Sequence, residues 1–174
     1  MNPVPENTAY YNFYTASLGY SYYGDGKTSG STPRDICPKG WRLPWVSDVG
    51  TTQNSSYGTA STSGDFVTLA KSYNSSAGWA NTNTYYNYYT SDSTIRQNMI
   101  FGDSSSLDRY SSNGAAGFTY AGYYYGTTLD LVGTYGYYWS SSVYNTLDSY
   151  YLYFDTTVVY PQNLRTKVNG FAVR

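Results

Sequence analysis

The sequence predicts an α+β domain in which short helices pack on a twisted, mostly antiparallel sheet with many loops. Three observations carry that expectation. The C-terminal third alternates with the two-residue period of strands, helical periodicity is scarce, and Gly, Pro, Ser and Asn are spread along the whole chain as turn residues. A length of 174 residues suits one well-packed domain, residues 1–174, and leaves little for a second.

The best helix candidate is SGDFVTLAKSY, Ser63 to Tyr73, where Ser63 or Asp65 could cap and Phe66, Leu69, Ala70 and Tyr73 fall on one face. A second short helix could begin near Ser47, after the Pro-Trp pair. The polar stretch from Thr51 to Gly64 reads as loop, and so does turn-rich NTNTYYNYYTSDS, Asn81 to Ser93, although its tyrosines suggest that it lies against something.

Three strands follow: GYYWSSSVY (Gly136–Tyr144), YYLYFD (Tyr150–Asp155) and NGFAVR (Asn169–Arg174). In the second, Leu152 and Phe154 share one face, and Tyr151, Tyr153 and Asp155 share the other. The expected core is Trp41, Leu43, Trp139, Leu152, Phe154, Phe171 and Val173, with the tyrosines facing out or lining a rim. Low charge and irregular loops should make the fold depend on hydrogen-bonded turns.

Charged residues make up 12% of the chain and the net charge is −1, against roughly a quarter charged in ordinary globular domains. No basic patch is present to neutralise phosphates, so nucleic acid is not an expected partner. No run of 18 apolar residues or basic amphipathic segment points to direct membrane insertion. The opening MNPVPENT shows no positive n-region or apolar h-region, which suggests a trimmed chain or delivery by another route, such as packaging into a particle. Cys37 is the single cysteine, so no internal disulfide can form.

Tyrosine supplies 25 residues against 4 Trp and 6 Phe. Tyrosine is a good strand former. It is also a rigid, amphipathic contact residue which, beside Ser, Gly and Asn, gives binding loops their composition. Both readings stand at this point.

The motifs of catalysis fail one by one, and no enzyme is predicted. GDGKT (Gly24–Thr28) resembles the end of a phosphate-binding loop, but Ser21 stands where the first glycine belongs. FGDSSS (Phe101–Ser106) resembles an esterase block, yet a chain without histidine cannot build a Ser-His-Asp triad. Glu6 is the only glutamate and the aspartates are scattered; Asp103 with Asp108 could bracket an ion, though solvated loop aspartates are the better account. The Cys and His clusters of a zinc site and the glycine-rich calcium loop are missing, so neither metal nor cofactor is expected.

Read together, AYYNFYTASLG (Ala9–Gly19), DICPKGWRLP (Asp35–Pro44) and the C-terminal GYYWSSS…LYF…VYPQ…GFAVR resemble the bacterial major paralogous domain family, first named from a Fibrobacter species. They also resemble the variable proteins of diversity-generating retroelements. Both imply a C-type-lectin-like fold of the formylglycine-generating-enzyme subtype. The likeness covers most of the chain and is least clear from Thr51 to about Gly117. CPKGWRLP is its most specific block.

The resemblance implies that residues from about 133 to 174 form a diversified, ligand-binding region. In such proteins a reverse transcriptase miscopies template adenines, so that a codon such as AAC becomes any NNC codon, which never encodes Lys, Trp, Gln, Glu or Met. NTLD (Asn145–Asp148) and NLRT (Asn163–Thr166), with Val168 and Asn169, contain only permitted residues, while Trp139, Gln162 and Lys167 would be fixed. The implied contact set is Tyr135, Tyr137, Tyr144, Asn145, Thr146, Leu147, Asp148, Tyr151, Tyr153, Asn163, Leu164, Arg165, Thr166, Val168 and Asn169.

The implied function is binding of a protein or glycan ligand on another cell or particle, by a domain displayed on a cell or virus surface. The alternative is a non-variable adhesion or envelope domain of the paralogous family. Two departures matter. The family places a cysteine directly after the final Val-Arg, able to pair with the one in CPKGW, so Cys37 is either unpaired here or has its partner beyond Arg174. The Trp-Asn-Asp motif of calcium-dependent sugar binding is missing, and YPQN (Tyr160–Asn163) is its nearest companion text.

Overall fold

The structure is a computed structural model that describes residues 9–19, 30–31, 34–45, 64–82, 87–99 and 118–173. Its centre is a pair of long antiparallel strands, β7 (Gly136–Val143) and β8 (Asp148–Phe154), joined by the short loop 144–147. β9 (Val159–Thr166) adds to the outer side of β8. On the other side β10 (Phe171–Ala172) runs parallel to β7, and β1 (Tyr10–Tyr11) pairs antiparallel with β10. β2 (Gly30–Ser31) also pairs with β7, at Ser142 and Val143, which completes a mixed six-stranded sheet. Two small ribbons flank it: β3 (Ala80–Thr82) with β4 (Asn87–Tyr89), and β5 (Tyr123–Tyr125) with β6 (Thr128–Asp130).

Helices cover one face. α2 (Asp65–Tyr73) and α3 (Ser93–Met99) bury Phe66, Ala70, Ile95 and Met99 against Tyr138, Tyr150, Leu152 and Phe154. Leu69 and Tyr73 pack at the edge of that cluster, as the helical spacing predicted. The cap differs. Gly64 is the N-cap and, having no side chain, gives no capping bond; Asp65 does not cap either, its carboxylate accepting from Trp45 N–H at 2.6 Å and pairing with Arg42 at 2.5 Å.

The opposite face is covered as well, by the one-turn helix α1 (Phe13–Ala16), by Leu43 and by β5. Phe13, Leu43 and Tyr123 close over Tyr137, Trp139, Val143, Tyr151 and Phe171. Every residue of β7 is buried. Strands covered on both faces are normally continuous runs of aliphatic residues; here tyrosine is buried on both, Tyr138 and Tyr150 on the helix side and Tyr137 and Tyr151 on the other. The outward orientation predicted for the tyrosines is therefore corrected at Tyr137, Tyr138, Tyr150 and Tyr151, which lie in the core. Each buried ring contributes roughly 1.5–3 kcal/mol by removal from water, and ring pairs add about 0.5–1.5 kcal/mol.

Of the expected core, Leu43, Trp139, Leu152, Phe154 and Phe171 are buried and Val173 packs at the margin. Trp41 is not core: it is 77% exposed. Its loop is fixed by Asp35, whose carboxylate accepts from Cys37 N–H at 2.9 Å and Leu43 N–H at 2.8 Å, and by a turn in which Trp41 N–H donates to Pro38 O at 2.9 Å. That arrangement pulls Leu43 inward and leaves the Lys39–Trp41 tip outside. Burial, with Asp35 beside it, pushes the Cys37 thiol up to about 11, away from the thiolate form, and Cys37 packs at the margin of the second cluster.

The three serines after Trp139 form an irregularity in β7. Trp139 pairs with Tyr151 and Val143 with Ser149, so residues 140–142 face Tyr150 alone. The hydroxyls repair the broken ladder: Ser140 Oγ donates to Tyr150 O at 2.8 Å and accepts from Ser142 N–H at 3.1 Å, while Ser141 N–H donates to Pro44 O at 2.8 Å.

Several elements were not in the sequence reading, β9, the β3–β4 ribbon and α3 among them. β9 was not among the expected strands; it pairs with β8 along its length, and Pro161 falls at a second bulge, where Tyr151 pairs with Asn163 but Tyr153 with Tyr160. Part of the expected loop 81–93 is the β3–β4 ribbon, whose Tyr89 stacks on Tyr160 at 5.0 Å. α3 is opened by Asp92, whose Oδ1 accepts from Ile95 N–H at 2.9 Å. The helix expected near Ser47, the loop 51–63 and the motifs at 24–28 and 101–106 lie outside the described residues.

Candidate binding surface

Most of the contact residues expected from the sequence fall into three groups, divided by their position along the sheet and by what covers them, since Tyr151 and Tyr153 share one face of β8. The first group is one end of the sheet, where the loop 144–147 and the turn after β9 meet. Asp148 pairs with Thr166, and Lys167 N–H donates to Leu147 O at 2.8 Å. Leu147 is 65% exposed and Val168 67%; Arg165 and Thr166 are exposed beside them, and Thr146 is half-buried.

The backbone under these side chains is held by bonds that do not involve them. Asn145 folds the loop as an Asx turn, its Oδ1 accepting from the N–H groups of Leu147 and Asp148, each at 2.7 Å. Its Nδ2 donates to Asp148 Oδ2 at 3.2 Å. Lys167 is fully buried, and its ammonium donates to the main-chain oxygens of Asn145 at 2.5 Å and Thr146 at 3.3 Å. The same ammonium lies 5.6 Å from the Phe13 ring centroid, and Phe13 N–H donates to Lys167 O at 2.8 Å. Burial brings the Lys167 amine down to about 8, against an opposing pull from Asp148.

Arg165 reaches across to β5. Its guanidinium stands over Tyr123, 5.6 Å from the ring centroid, and Nη2 donates to the Tyr123 hydroxyl at 3.4 Å. Tyr125, two residues on in the same ribbon, is 67% exposed, and Tyr124 pairs with Gly170 beside Asn169.

The second group is a row of half-buried tyrosines at the other end of β8. Tyr153 packs on Tyr135 at 5.7 Å and on Tyr160 at 5.5 Å. Tyr153 OH donates to Asp155 Oδ2 at 2.9 Å. Burial opposes ionisation of Asp155, but bonds from Thr157, Tyr153 and Val158 N–H hold its carboxyl below the usual range. Asp148 and Tyr153 are separated by about 17 Å along the strand at about 3.3 Å per residue, so the expected set is not one continuous patch.

The third group is interior. Tyr137 and Tyr151 stack at 5.7 Å with both rings against Phe171, and burial pushes both phenols well above their ordinary range. Asn169 is buried in the turn, its N–H donating to Thr166 O at 3.2 Å. These three cannot touch a ligand in this fold, which corrects their place in the expected set. Tyr144 and Leu164 are half-buried against the helix-side cluster, and Asn163 folds its own Oδ1 onto Leu164 N–H at 2.8 Å.

Sequence reasoning missed Tyr123 and Tyr125 at the first end and Tyr89 and Tyr160 at the second. Only Tyr160 left a signal, since an apolar-aromatic run continues through VVY before Pro161. Among the described residues no three Cys, Asp or Glu side chains stand together as a cation would need, and no helix is long and apolar enough to cross a membrane. Asp103 and Asp108 lie outside the described residues. Comparisons with protein-family models, with curated proteins and with solved structures return no match.

Proposed function

We propose that the chain is a ligand-binding domain of C-type-lectin-like fold, diversified at its C-terminal end and displayed on a cell or virus surface. Its contact surface is the end formed by residues 144–148 and 163–168. One observation carries this reading: Thr166, Lys167 and Val168 run exposed, buried, exposed, and the buried Lys167 ammonium bonds main-chain oxygens only. Side chains at 146, 147, 166 and 168 can therefore change while the loop backbone stays in place. Trp139 and Gln162, the other residue types that adenine miscopying cannot create, are buried as well. A rigid base under interchangeable side chains is what a diversified binder needs. The partner is a protein or glycan on another cell or particle, and the reading assigns no catalytic chemistry.

The alternative, a fixed adhesion or envelope domain, is favoured by Tyr137, Tyr151 and Asn169, permitted residues that serve the core. Sequencing the 3′ end of the gene across its source population separates the two. Substitutions confined to 144–148 and 163–168, sparing Tyr137, Trp139, Tyr151, Gln162 and Lys167, support diversification. An invariant region, or changes spread equally over core and surface, defeats it and leaves the fixed domain.

A further inference from the structure

We infer that the anchor of this surface is Arg165 and that the partner is a protein segment presenting a carboxylate beside apolar side chains. The inference rests on the binding reading above and adds the chemistry of the occupant. It begins from charge balance. The end of the sheet carries two cations, Arg165 and Lys167, and two nearby acids, Asp148 and Asp130, the latter opposite Tyr123 in the β5–β6 ribbon with its Oδ1 accepting from Leu131 N–H at 2.8 Å. Asp148 is engaged with Asn145 Nδ2 and faces Lys167, whose ammonium is turned down onto main-chain oxygens. Arg165 is left over. It is exposed, and among the described residues the structure gives it no carboxylate.

Its geometry is that of a prepared receptor. The guanidinium is supported from below by the Tyr123 ring and tethered by one long bond to the Tyr123 hydroxyl. A guanidinium held this way keeps further N–H groups with which it can grip a carboxylate by two parallel bonds. Leu147 and Val168, both more than half exposed, sit in the loop and turn joined to β9 at Asp148–Thr166 and Leu147–Lys167. Arg and Tyr at the centre with aliphatic neighbours is the composition of an interface that carries most of its energy in few residues. A neutral glycan would leave the guanidinium charge unanswered and the aliphatic pair poorly covered.

The test is selection of a phage-displayed random dodecapeptide library on the full chain, with a glycan array run in parallel. The expected result is enrichment of peptides carrying Asp or Glu next to apolar residues. Their affinity should fall about tenfold or more with Arg165→Gln, or when the peptide acid becomes its amide, and less with Arg165→Lys. Unchanged thermal melting of Arg165→Gln shows that the loss is one of contact. Enriched peptides that lack an acid yet depend on Leu147 and Val168 overturn the carboxylate anchor while the binding surface stands. Binding confined to the glycan array overturns the protein partner. A library that yields no binder, with an empty glycan array, overturns both the anchor and the surface.

Discussion

The Lys167 ammonium lies 2.5 Å from the main-chain oxygen of Asn145, inside a protein whose other lysines described here are not buried. The lysine links three segments: the loop at 145–147, the turn after β9 and, through its own carbonyl, the start of α1 at Phe13. Lys167→Ala should leave two main-chain oxygens unpaired and open a cavity. Urea denaturation is expected to show a loss of about 2–4 kcal/mol.

The same lysine gives a pH signature. The native amine releases its proton near 8 and the unfolded one near its ordinary value of 10.5. Between these values the unfolded state holds more protons, so stability rises with pH, and the penalty for burying the charge is fully present below 8. Denaturation midpoints measured from pH 7 to 9.5 should climb in the wild type relative to Lys167→Met, whose own midpoint should drift down near pH 9 as the Cys37 thiol ionises in the unfolded chain.

Tyrosines reverse the trend. Burial raises the phenols of Tyr10, Tyr137, Tyr150, Tyr151 and Tyr153 above the ordinary 10.0. Above pH 10 the unfolded chain loses these protons while the native chain keeps them, so their contribution is complete below 10 and is lost as pH rises. Alkaline unfolding should be steep, and the phenolate absorbance of these rings should appear together with loss of structure. Gradual ionisation before unfolding would place the rings in water.

Tyr151 and Leu147 should separate packing from contact. Tyr151→Ala removes a core ring and is expected to cost about 3–5 kcal/mol, whereas Tyr151→Phe costs under about 1.5 kcal/mol. Leu147→Ser and Val168→Ser should stay within about 0.5 kcal/mol of the wild type. Loss of binding in these two variants, at unchanged melting temperature, would locate the surface at this end of the sheet.

Gly136 gives a purely structural test. A Cβ at this position would be driven into the Phe154 ring, which lies directly over the glycine. Gly136→Ala should destabilise by about 1–3 kcal/mol, the cost of overpacking, and Phe154→Leu should recover part of it. Full stability of the single variant would show that the ring is free to move.

The central strands were legible because period-2 alternation is a local property: β7, β8 and β10 each overlap the segment that their residues announce. The second face was not. Alternation distinguishes the two sides of a strand but does not say what covers either, and tyrosine suits water and core alike. Tyr151 was therefore placed outside, although α1, Leu43 and Tyr123, from distant parts of the chain, enclose it. β9 contains Pro161, a residue that weakens any strand signal and that a bulge accommodates here. Trp41 was misplaced because a large apolar residue beside a buried leucine looks like core until Asp35 is seen to fix the turn between them. The loop residues Thr146, Leu147, Arg165, Thr166 and Val168 were placed correctly at the surface, but the residue that holds their backbone, Lys167, was legible only as an exception to a coding rule.

The pairing of β1 with β10 bears on how the domain would yield to mechanical load. Tyr10 lies opposite Ala172 and Tyr11 opposite Phe171, in antiparallel register. Tension applied between residues 9 and 173 therefore acts at the same end of that ladder and opens it one rung at a time. A domain tethered through one flank and gripped at its far end would give way first at this short zipper. The β7–β8 pair, with the loop 144–147 that joins it, would be loaded only after β1 had peeled away.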